Sequence, residues 1–85
     1  MRDQLITFTE AMEEQLVKND FKEHWNSRTQ NYLNHQLRTV IEKLHEAVCS
    51  NDHNQVIRHS VNAANYSMML SDNAKRLIKA KSNVR

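Results

Sequence analysis

The sequence predicts an all-α protein: a small antiparallel helical bundle of three main helices with a C-terminal helical extension. Three observations carry that expectation. The 85 residues include neither glycine nor proline, the residues that tight turns and strand connections draw on. Apolar side chains recur three and four residues apart over long runs, the period of a helix face. The breaks between those runs hold Asn, Ser and Asp, which can end and start helices where glycine is missing.

The first helix is expected from about Leu5 to Lys18, with Leu5, Phe8, Met12 and Leu16 as its stripe. Thr7 and Glu10 have capping-box spacing, and Asn19 can close the helix in a left-handed conformation. Residues 19–28 form the longest non-periodic stretch. Ser27 and Gln30 make a second capping-box pair, opening a helix to about Ser50 on the stripe Leu33, Leu37, Ile41, Leu44 and Val48. Asn51 and Asp52 mark the next break, and a third helix begins near Asn54. Ser71-Asp72-Asn73 either interrupts it or lies inside a helix running on toward Ala80. Residues 74–85 are a basic extension, read as a solvated helix end whose cations complement the helix dipole.

The third helix organises the chain. Ile57, Val61, Ala64 and Met68 line one side, while His59, Asn62, Tyr66 and Met69, with Ala63 and Leu70, occupy the other. No charge falls between Val61 and Leu70, so both sides call for cover. A chain this short buries little apolar surface alone. A homodimer, or a dimer of dimers, is therefore expected, with Tyr66, Met69 and Leu70 as candidate interface residues.

Composition narrows the function classes. A net charge of +2 is too small to imply nucleic acid as a partner, and no helix-turn-helix with basic recognition residues stands out. One cysteine, Cys49, excludes an internal disulfide and fits a reducing compartment. There is no signal-peptide pattern and no membrane-length apolar run, so the expected location is cytoplasmic, away from any membrane. The five histidines form no i,i+4 pair with ligand spacing, so no metal or other cofactor is expected.

The segment Val61-Asn62-Ala63-Ala64-Asn65-Tyr66-Ser67-Met68-Met69-Leu70 is similar to the Asp-Val-Ala-Asn-Phe-Ala-Met-Met-Ile segment of the all-α MazG-like nucleoside triphosphate pyrophosphohydrolases. With Phe8…Met12…Leu16…Asn19, Lys22-Glu23-His24-Trp25 and Leu37 through Val48, the chain resembles the short phage-type modules of that family over about residues 8–73. In active members, Glu-Glu-x-x-Glu on one helix faces Glu-x-x-Asp on the next. Carboxylates at such spacing share a helix face and hold Mg²⁺ against a triphosphate. On this chain those positions fall on Thr39, Val40 and Lys43, and on His59 and Asn62. At the four principal ligand positions the charge changes from about −4 to about +1. Glu42 and Glu46 survive but point toward solvent on the helical wheel.

The resemblance therefore implies a scaffold without its catalysis. The leading expectation is a catalytically inactive interaction or regulatory module with a protein partner, for instance a virus-encoded inhibitor of a host protein acting in the host cytoplasm. The alternative is metal-free binding of a nucleotide or phosphate compound by Lys22, Trp25, Lys43, His59 and Asn62. A third reading keeps residual pyrophosphohydrolase activity through an unrecognised ligand set.

Overall fold

The computed structural model describes residues 1–19 and 25–83, with side chains as far as Lys81 in the last helix. Helix α1 spans Asp3–Lys18, a single 3-10 turn spans Trp25–Ser27, α2 spans Gln30–Cys49 and α3 spans His53–Asn83. The described residues contain no strand. The chain is a small helical bundle in which α3 is central, since α2, α1 and the 3-10 turn all pack on it. Among the described residues no Cα of α1 comes within 8 Å of one in α2. The two helices therefore flank α3 without closing on each other.

The α2–α3 corner shows how a chain without glycine reverses direction. Ser50 ends α2, and Asn51 takes the left-handed conformation at φ 58°. The Asn51 amide donates to the Val48 carbonyl at 3.2 Å, and the Asp52 amide donates to the Ala47 carbonyl at 3.0 Å. These two bonds satisfy carbonyls that the helix end would otherwise strand. Asp52 then starts α3, its Oδ1 accepting from the Gln55 amide at 3.3 Å. The expected break at Asn51-Asp52 is thus built from both residues in different roles.

Three local expectations differ from the structure. The Thr7–Glu10 pair lies inside α1, which starts earlier on Arg2 with no side-chain cap. Asn19 closes α1 at φ −84° and ψ 4°, without left-handed geometry. Thr29, rather than Ser27, caps α2 by accepting from the Tyr32 amide at 3.0 Å; Ser27 belongs to the preceding turn.

Helix α3 does not break at Ser71-Asp72-Asn73. Its 31 residues span about 46 Å at 1.5 Å each and set the 53 Å long dimension of the molecule. Within the triplet, Asp72 and Asn73 direct their side chains to the segment around Trp25. Asp72 Oδ2 accepts from the Trp25 indole Nε1 at 2.8 Å. Asn73 Nδ2 donates to the Trp25 carbonyl at 3.0 Å and the Arg28 carbonyl at 3.5 Å. Gln30 adds a bond from Nε2 to the Leu70 carbonyl at 3.4 Å. Since α2 starts at this level, α3 overhangs it beyond Asn73, and Leu77 and Ile78 are exposed there.

The core is small. Leu33, Ala47, Val61 and Met69 are its buried apolar residues, joined by the buried amides Asn65 and Asn73. On α3 the buried line is Val61, Asn65, Met69 and Asn73, four residues apart. The stripe through Ile57, Ala64 and Met68 is therefore rotated away from the core, and Ile57 is 64% exposed. On α2 the buried and half-buried line is Leu33, Leu37, Val40, Leu44 and Ala47. Helix α1 contributes no fully buried residue. It is held partly by a polar contact, the Asn65 Nδ2 donating to the Met12 carbonyl at 3.1 Å.

Candidate functional site

The antiparallel α2–α3 pair brings together the positions where the resemblance implies lost carboxylates. Val40 of α2 and Asn62 of α3 line one cavity of about 90 Å³, completed by Asn19, Asn65, Tyr66 and Met69. Thr39 is half-buried beside Val40, its hydroxyl donating back to the His35 carbonyl at 3.1 Å. Lys43 lies one turn further along α2 and is exposed. His59 precedes Asn62 by three residues on α3, half-buried, with its Nδ1 unpartnered. Glu42 and Glu46 are exposed.

The chemistry of this cavity is neutral. Three asparagine amides and a phenol offer hydrogen bonds, and Asn65 keeps an unpartnered Oδ1 in a residue only 5% exposed. Burial first, then the neighbouring Tyr32, raises the Tyr66 phenol above its ordinary 10.0, while Arg28 pulls it down. Tyr66 therefore stays an uncharged donor at neutral pH. A volume of 90 Å³ corresponds to about three water molecules at liquid density. Drug-sized ligands occupy about 300–1,000 Å³, so this cavity as it stands is too small for a nucleotide. Among the described residues no three His, Cys, Asp or Glu side chains gather as a metal site.

The other expected ligand residues are placed elsewhere. Trp25 sits at Asp72, ten residues beyond Asn62 and about 15 Å along the helix axis. Its indole N–H is spent on the carboxylate, so Trp25 is an anchor for the start of α2, separate from the Asn62 cavity. Lys22 lies outside the described residues. Met69 is 1% exposed within a single chain, which withdraws it from the expected oligomer interface; Tyr66 and Leu70 are half-buried. Cys49 is a free, exposed thiol.

Two features escaped the sequence reading. One is a cleft of about 290 Å³ between the 3-10 turn and α3, bordered by Asn26, Arg28, Gln30, Asn73 and Arg76. The guanidinium of Arg76 is held by Asp72, with two contacts of 2.6 Å. The other is a second apolar edge on α2. Ile41 and Val48, placed in the core stripe by periodicity, are 48% and 55% exposed. They lie about 100° round the helix from Val40 and Ala47, which face the core. The signal was present in the spacing: Leu33-Leu37-Val40-Leu44-Ala47 and Leu37-Ile41-Leu44-Val48 are two interleaved seams, and the eye merges them.

Fold and site together define an all-α bundle with an uncharged interhelical cavity and an apolar edge open to solvent. In comparisons with family models, curated proteins and solved structures, the chain matches none. No helix among the described residues is long and apolar enough to cross a membrane.

Proposed function

We propose that this chain is a catalytically inactive, MazG-like helical module that works by docking onto protein. The observation that carries the reading is the open seam of α2. Leu37 and Leu44 are half-buried, and Ile41 and Val48 beside them are about half exposed, so one helix presents a row of large side chains beyond what its own domain covers. Apolar rows of this kind mark contact surfaces. The positions that would hold Mg²⁺ in an active relative carry Thr39, Val40, Lys43, His59 and Asn62, none of which is a hard anionic ligand.

The test is a thermal-shift titration with nucleoside triphosphates, with and without Mg²⁺, beside an assay for pyrophosphate release. The docking reading expects no release and no shift, because a ligand of the folded state must raise its apparent stability. Metal-dependent release, lost in Glu46→Gln, would overturn it in favour of the enzyme. The buried, unpartnered His59 Nδ1 favours a second reading: anion binding by His59 together with the exposed Lys43. That reading expects a metal-free shift with triphosphate, abolished by Lys43→Glu.

A further inference from the structure

We infer that the overhanging end of α3 is a docking surface for an acidic segment of another protein, one that carries apolar side chains between its carboxylates. The inference goes beyond the docking reading above: it uses α3 and stands whether or not the α2 seam is covered. Helix α3 runs on from Asn73 to Asn83, about 15 Å, past the level at which Gln30 starts α2. Leu77 and Ile78 are 57% and 67% exposed there. With Ala80 and Lys81 they line a groove of about 540 Å³. Leu77 and Ala80 also border the cleft at the 3-10 turn, so groove and cleft share a wall.

Charge names the occupant. Residues 74–85 hold five basic side chains and no acid, whereas residues 1–73 hold ten acids against seven bases. The net charge of +2 is thus strongly polarised, with its positive end on the overhang. Arg28 and Arg76 border the surface on the cleft side, and Lys81 does so in the groove. Leu77, Ile78 and Ala80 share a sector of about 160° on the helical wheel, edged by Arg76 on one side and Lys75 on the other. An apolar strip edged by cations is complementary to an apolar strip edged by carboxylates.

The lining separates this partner from other anions. Single-stranded nucleic acid stacks its bases on aromatic side chains, and none borders the groove or the cleft among the described residues. A bilayer takes up a helix through a long apolar face, whereas this one offers two large apolar side chains, set in a groove. Of the three, a polypeptide alone presents aliphatic anchors and carboxylates one helical turn apart. Such segments seat their anchors in a groove and take their specificity from the flanking charge.

Fluorescence anisotropy on the full chain tests this, with a labelled helical peptide of Leu, Ala and Glu whose leucines fall three and four residues apart. The expected result is saturable binding with a Kd below about 1 mM, weakened by added salt. Leu77→Glu should raise the Kd at least about 10-fold, and the Lys75→Gln/Lys79→Gln pair about threefold, with unchanged helical circular dichroism. Should Leu77→Glu unfold the end of α3, Leu77→Ala carries the test, since alanine is the strongest helix former; it should weaken binding at least about threefold. Ile57→Glu, at an exposed apolar position elsewhere on α3, should leave the Kd within about twofold. No saturable binding overturns the inference, as does equal binding of the same peptide with lysine for every glutamate. Tighter binding to phosphatidylserine-containing vesicles or to single-stranded DNA overturns it too, and self-association abolished by Leu77→Glu would give the surface to a second copy instead. The α2 seam is decided separately, by the nucleotide titration and the pyrophosphate assay.

Discussion

Replacing Asp72 should unfasten the start of α2 from α3, and the cost can be worked from the contacts. Asp72 Oδ2 accepts the Trp25 indole N–H at 2.8 Å, and hydrogen bonds to charged groups contribute about 1.5–3 kcal/mol. The Asp72 side chain is 41% exposed, which places the bond toward the lower end, about 1.5–2 kcal/mol. The Arg76 pair on the same oxygen is equally exposed and adds at most about 0.5 kcal/mol. Asp72→Ala should therefore cost about 2 kcal/mol of a total near 4–13 kcal/mol. That lowers Tm by about 8–16 °C. Asp72→Asn keeps an acceptor and loses the charge, so it should cost about half as much. Trp25 is the only tryptophan, so its fluorescence reports this junction while circular dichroism reports the whole helix content. A double-mutant cycle with Trp25→Phe isolates the pair and should return a coupling of about 1.5 kcal/mol. If Asp72→Ala costs no more than Arg76→Ala, or the cycle is additive, the anchoring argument is wrong.

Three further outcomes follow from the same structure. Leu33, 1% exposed, should lose about 2–5 kcal/mol on Leu33→Ala, seen as a lower urea midpoint with unchanged m-value. Asn51, at φ 58°, should accept glycine without loss, whereas Asn51→Val should cost at least about 1–2 kcal/mol for a branched side chain in left-handed geometry. Tyr66 has its phenol raised by burial, so the unfolded chain ionises first. Its contribution is intact below about pH 10 and is lost as pH rises through the folded value. Urea midpoints followed through this range should fall less steeply in Tyr66→Phe than in the wild type.

The helices were legible because absence is informative: with no glycine or proline, only Asn, Ser, Thr and Asp can punctuate the chain. Periodicity then located all three helices. The details failed where one polar residue had two possible uses. Ser71-Asp72-Asn73 reads as a stop because short polar side chains compete for local backbone groups. Here Asp72 and Asn73 bond the Trp25 segment instead, a use that depends on residues nearly fifty positions away. Thr7 offered a cap, and α1 began before it. Of the candidate site, Val40 and Asn62 line one cavity, a pairing that antiparallel register alone sets. Trp25 lies at Asp72 rather than beside Asn62, and no sequence period sets its position.

The phase of α2 shows what apolar pattern can and cannot decide. Val40 and Ile41 are both branched and apolar, as are Ala47 and Val48 both apolar, so hydropathy cannot say which of each pair faces α3. Packing decides: Ala47 is 6% exposed and Val48 55%, because the smaller side chain permits close approach of the helices. A single domain gains nothing from keeping valine and isoleucine at the positions that packing rejects. Each leaves apolar surface in water at roughly 25 cal/mol per Å². Two such residues seven apart, flanked by leucines already half in the core, leave an apolar row on the outer side of α2. The same side chains that blur the sequence reading of the core are, under the proposed docking function, the ones that would specify the contact beyond it.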